Sequence, residues 1–74
     1  MQVRVHCHAG YRGEQTPRAF ELGDRRIGVV EVLDAWLAPD HRYFKVRGDD
    51  GDTYILRHDI VRETWELTVY RRER

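Results

Sequence analysis

The chain has 74 residues, 35% of them charged, and thirteen Lys and Arg balance thirteen Asp and Glu. That length is one domain with no room for a second, spanning residues 1–74. The zero net charge is not the footprint of a strongly basic nucleic-acid binder, though it leaves room for a local patch, and an apolar content of 41% argues against disorder.

The cations are twelve Arg and one Lys. Arg suits phosphate, carboxylate and aromatic partners, but a codon bias explains the excess more simply. The single Cys, Cys7, excludes an intrachain disulfide and fits a reducing compartment. Met1 leads straight into QVRVHCH, with no apolar signal region and no run long enough to span a membrane, so a cytoplasmic protein is expected. A chain this short buries roughly 60% of the surface it exposes when unfolded.

Residues 2–8 alternate. Val3, Val5 and Cys7 face one way and Gln2, Arg4, His6 and His8 the other, which predicts a half-buried first strand. Residues 9–17, AGYRGEQTP, hold two Gly, a Pro and no alternation, and read as a loop with Tyr11 and Arg12 near its tip. Residues 18–22 and 25–29 form a hairpin around Gly23-Asp24, with Gly at the first central position of a type II′ turn. That register sets Phe20 opposite Ile27 inside and Glu21 opposite Arg26 outside.

Residues 29–37, VVEVLDAWL, carry two patterns. Val29, Val32, Leu33, Trp36 and Leu37 fall at helical spacing, with Pro39 as a stop. The β-branched valines and the continuity with a strand favour a long bent strand with a bulge near Val30-Glu31. APDH, 38–41, is the turn into the next hairpin.

YFKVRGDDGDTYIL, 43–56, is the element around which the chain is organised. A two-residue turn at Asp50-Gly51 would set Phe44 against Arg57. A three-residue loop, Asp49-Asp50-Gly51, sets Val46 against Tyr54 and Phe44 against Leu56. A slip of one residue flips every side chain, so the core selects the second register, with Gly51 left-handed. Residues 58–63 read as a single tight helical turn. Residues 64–70 are the last strand, with Trp65, Leu67 and Val69 inward and Tyr70 outward. Residues 71–74 are a charged tail expected to fray.

Five or six short strands at hairpin spacing predict an all-β domain, a small antiparallel, partly open barrel of the SH3-like kind, with an OB-like barrel second. Phe20, Trp36, Phe44 and Trp65 are its expected large core residues.

IGVVEVLDAW, HRYFKVRGDDGDTYILRHD and WEL, together with GYRGEQTPRAF, resemble small bacterial proteins grouped as a domain of unknown function, with a VxEVLDxW…YFKVRxDDGxxYILRHD…WEL pattern covering most of the chain. The resemblance implies a bacterial cytoplasmic protein. It implies no activity, cofactor or catalytic residue.

His6 and His8 share a strand face, about 6.5–7 Å apart, and are the weak candidates for a metal. A structural zinc needs four ligands, and two surface histidines with a buried thiol is the simpler account. Cys7 on an apolar face is expected to be inert rather than nucleophilic. Asp49, Asp50 and Asp52 lack the ligand spacing of a calcium loop and are explained by the turn.

The outward face of the 43–57 hairpin sets Tyr43 opposite Arg57, Lys45 opposite Ile55 and Arg47 opposite Thr53, flanked by Arg42 and His58. Basic groups with an aromatic suit single-stranded nucleic acid, and they equally describe a solvated sheet face. Tyr11 and Arg12, with Arg18, form a second candidate contact for protein. No nucleophile–base–orienter set and no paired carboxylates are readable. The expectation is therefore a non-enzymatic binding module without cofactor. Its partner is expected to be protein, and the alternative is nucleic acid bound through Tyr43, Lys45, Arg47, Arg57 and His58.

Overall fold

A computed structural model describes residues 1–8 and 16–73. Six strands follow one another: β1 Gln2–His8, β2 Thr16–Leu22, β3 Arg25–Ala38, β4 His41–Gly48, β5 Thr53–Asp59 and β6 Thr64–Arg71. Each pairs antiparallel with its sequence neighbours, and Gln2–Glu66 and Val3–Trp65 close the ring between β1 and β6. The expected small antiparallel barrel is present. It is a meander, not the Greek-key order of an OB barrel.

Both hairpin registers stand as the turn chemistry dictates. Phe20 pairs with Ile27 and Glu21 with Arg26; Phe44 pairs with Leu56 and Val46 with Tyr54. Gly23 (φ 57°) and Gly51 (φ 87°) hold the left-handed positions. Asp59 shapes the β5–β6 loop, its Oδ1 accepting from the amides of Val61 (3.0 Å) and Arg62 (2.9 Å). The Glu63 amide donates to the Asp59 carbonyl across one helical turn at 2.8 Å, the tight turn expected there.

The core consists of Val3, Phe20, Ile27, Phe44, Val46, Tyr54, Leu56 and Trp65, with Val5, Cys7, Leu22, Val29 and Leu67 packed against it. Burial raises the Cys7 thiol pKa against the lowering pull of Arg42, so the thiolate is disfavoured at neutral pH.

Residues 29–37 are strand throughout, not helix. Register shifts fall between Val29 and Glu31, as expected, and again between Val32 and Asp34. The second shift corrects the placement of Trp36. Beyond the extra residue Leu33, Trp36 pairs with outward-facing Tyr43 and is 40% exposed, outside the core. A similar shift at Thr68, between the pairs Leu56–Leu67 and Ile55–Val69, turns Val69 outward and brings Tyr70 onto Tyr54, ring centroids 5.1 Å apart. Both were expected the other way, because strict alternation does not survive a bulge.

Two boundaries also move. Thr16 and Pro17 belong to β2, with Pro17 fully buried, which corrects the expected 9–17 loop at those two positions; its residues 9–15 lie outside the described residues. Arg71 lies in β6 rather than in a frayed tail, and the Glu73 amide donates to Asp52 Oδ1 at 3.1 Å.

Candidate functional site

Outward residues of β3, β4, β5 and β6 line up in cross-strand rows. One row runs Trp36–Tyr43–Arg57–Glu66, a second Asp34–Lys45–Ile55–Val69, and a third begins Glu31–Arg47–Thr53. The structure thus brings Tyr43, Lys45, Arg47 and Arg57 together as the strand alternation requires. It adds Trp36, whose ring lies against Tyr43 at 5.2 Å between centroids and 5° from parallel. Leu37, beside it, is 74% exposed. A shallow groove of about 270 Å³ lies around Ala35, Trp36, Leu37, Arg42, Tyr43 and Phe44.

The basic groups of this face have acidic neighbours. Arg57 is bound to Glu66, Arg47 Nη1 reaches Glu31 Oε1 at 3.2 Å, and Lys45 stands opposite Asp34. The Arg57 hydrogen bond lowers the Glu66 pKa against a smaller opposing effect of desolvation. The result is a checkerboard with no continuous positive track.

His58 does not belong to this face. It shares the parity of Tyr54 and Leu56, points inward and is 7% exposed. Its ring stacks on Trp65, and neither nitrogen has a hydrogen-bond partner among the described residues. Burial, then the nearby Arg42 charge, lowers its pKa, against opposing pulls from Glu63 and Asp59.

The other candidates separate. His6 Nε2 meets Glu21 Oε2 at 2.5 Å, and that bond is the largest cause of the lowered Glu21 pKa. His8 is exposed. Among the described residues, no three His, Cys, Asp or Glu side chains converge on a metal-sized site. Tyr11 and Arg12 lie outside the described residues, and Arg18 is exposed on β2. The acidic turn is occupied internally. Asp50 Oδ2 accepts from the Tyr54 hydroxyl at 2.5 Å and from Arg25 Nη2 at 3.3 Å, and Asp52 Oδ2 accepts from the Tyr70 hydroxyl at 2.7 Å. No helix among the described residues is long and apolar enough to cross a membrane.

Trp36 is expected in the core and stands outside it, and the turn beside it carries the signal for that position. Pro39-Asp40 is a two-residue turn closing Ala38 on His41. Counting back from that pair sets Trp36 opposite Tyr43, and opposite residues of a ladder point the same way.

Compared with known proteins, the chain matches no family model, no curated protein and no solved structure.

Proposed function

We propose that this chain is a non-enzymatic protein-binding module working from the outer face of the β3–β4–β5 sheet, with the Trp36–Tyr43 stack as its contact centre. The observation that carries this reading is the exposed Trp36 stacked on half-buried Tyr43, set among charges already matched in sign. Trp, Tyr and Arg are the residue types that dominate interface energetics. A face with paired charges has a short-range field, which suits a partner with its own mixed polar surface better than a polyanion. The single thiol supports a reducing, cytoplasmic setting.

Single-stranded nucleic acid is the second reading. It draws on Tyr43, Lys45, Arg47 and Arg57 of the same face, with Trp36 as a further stacking ring. An amide-resolved NMR titration with mixed single-stranded oligonucleotides, at low and then higher salt, separates the two. The protein-binding reading expects no saturable shifts in 34–37, 43–47 or 53–57. Salt-sensitive shifts confined to those residues would replace it with the nucleic-acid reading. In parallel, affinity capture with the intact chain and with Trp36→Lys should differ in the proteins retained, each difference then being titrated with purified protein.

A further inference from the structure

Beyond the pair Ala19–Gly28, β3 has a partner on only one side among the described residues. β2 leaves it after the pair Ala19–Gly28, and among the described residues 29–38 pair with β4 alone. The turn chemistry says which backbone groups face the side away from β4. Ala38 and His41 flank a two-residue turn, so they exchange hydrogen bonds, as do Trp36–Tyr43 and Asp34–Lys45 two and four residues back. The N–H and C=O groups of Ala35 and Leu37 therefore point away from β4. The Ala35 amide donates to the carboxylate of its own neighbour, Asp34 Oδ1, at 2.8 Å. Trp36 and Leu37 lie exposed along this stretch, Val32 and Val30 just before it.

We infer that this edge receives a second copy of the chain, the two β3 strands pairing antiparallel about a two-fold axis at Trp36. The inference rests on the protein-binding reading above and names the partner for the same site. Self-complementarity selects the occupant. Trp36 then meets its counterpart at a non-hydrogen-bonded pair, where the strands approach most closely, at about 4.5 Å between Cα atoms. The two Trp–Tyr stacks join into one row of four rings. On the opposite side of the sheet each Ala35 faces the Leu37 of the other copy. A small residue sits against a large one twice, over the groove beside Phe44. Asp34 faces Ala38, so no carboxylate meets a carboxylate. Other centres are poorer. An axis at Asp34 sets two carboxylates face to face, and one at Ala35 drives the ladder into the bulged residue Leu33.

The paired stretch is short, and Asp34 must release the Ala35 amide before it pairs. Dimerisation is therefore weak and concentration-dependent, and Asp34 restrains it. Charged side chains and bulges are the usual guards of an open edge.

Sedimentation velocity of the intact chain, from low micromolar to near-millimolar concentration, tests this with three proteins whose folding is checked by circular dichroism. The wild type should shift from monomer to dimer. Trp36→Lys should stay monomeric at every concentration. Asp34→Ala should dimerise about tenfold more tightly, the size of one hydrogen bond, and amide exchange at Ala35 and Leu37 should slow as dimer forms. A wild type and Asp34→Ala that both remain monomeric, or a dimer indifferent to Trp36→Lys, would overturn the second copy as partner. A monomer whose purified protein partner is lost on Trp36→Lys would overturn it too while leaving the protein-binding reading intact. Loss of both would remove the reading itself.

Discussion

His58 lies face to face with Trp65, ring centroids 4.3 Å apart and planes 13° from parallel, and both of its nitrogens are buried with no hydrogen-bond partner among the described residues. A buried polar group in that state costs stability, and its charged form costs more. Burial and the Arg42 charge hold its pKa below the ordinary value of 6.5.

The sign of the pH dependence follows. The unfolded chain takes up a proton at His58 before the folded chain does, so stability falls as pH drops below about 6.5 and levels off only beneath the lowered folded value. His58→Leu should raise stability at pH 7 by about 1 kcal/mol and flatten the slope between pH 7 and 5. Urea unfolding at several pH values measures both. A slope unchanged in the variant would assign it to other groups.

The Tyr54 hydroxyl donates to Asp50 from inside the barrel, and Asp50 binds Arg25 and the Asp52 amide as well. Tyr54→Phe removes a hydrogen bond to a charged acceptor and should cost about 1.5–3 kcal/mol. The ring contact with Phe20, 4.9 Å between centroids, is kept, so the near-ultraviolet circular dichroism should change little while the unfolding midpoint falls.

Glu63 closes the β5–β6 loop at φ 56°, the one positive φ among the described non-glycine residues. Left-handed backbone costs an ordinary L-residue roughly 1–2 kcal/mol, and Gly returns part of that as unfolded-state entropy. Glu63→Gly should therefore stabilise by about 0.5–1 kcal/mol, a rise of a few degrees in Tm for a domain of this size, read by differential scanning calorimetry.

The two tryptophans should behave differently. Trp65 is buried against Phe44 and His58, and Trp65→Ala should cost about 3–5 kcal/mol. Trp36 stands on the outer face, and Trp36→Ala should cost less than about 1.5 kcal/mol, the worth of its stack on Tyr43. Equal costs in chemical unfolding would contradict the exposed position of Trp36.

Much of this fold was legible residue by residue. The registers around Gly23-Asp24 and Asp49-Asp50-Gly51 follow from turn chemistry and the two-residue period of the pleat, both local properties, and the outward row Tyr43, Lys45, Arg47, Arg57 came with them. The inward position of His58 was legible too, in its parity with Tyr54 and Leu56. A histidine beside Arg57 fits a basic face equally well by composition, and only its parity separates the two.

What alternation cannot carry is a bulge. The shifts at Leu33 and Thr68 are set by how β3 and β6 bend to close the ring, a demand made by strands far away in the chain, and each reverses the face of every residue after it. Alternation also names a side of the sheet without saying whether anything covers it. Ala35 pairs with buried Phe44 yet is exposed, because β3 runs past β2. The sequence by itself determined a small antiparallel barrel and its hairpin registers, since turns and pleats act over a few residues. Only the tertiary structure decided that Trp36 stands outside with Tyr43, that Tyr70 lies against Tyr54, and that among the described residues one edge of β3 past Gly28 has no partner, since those depend on where the barrel closes.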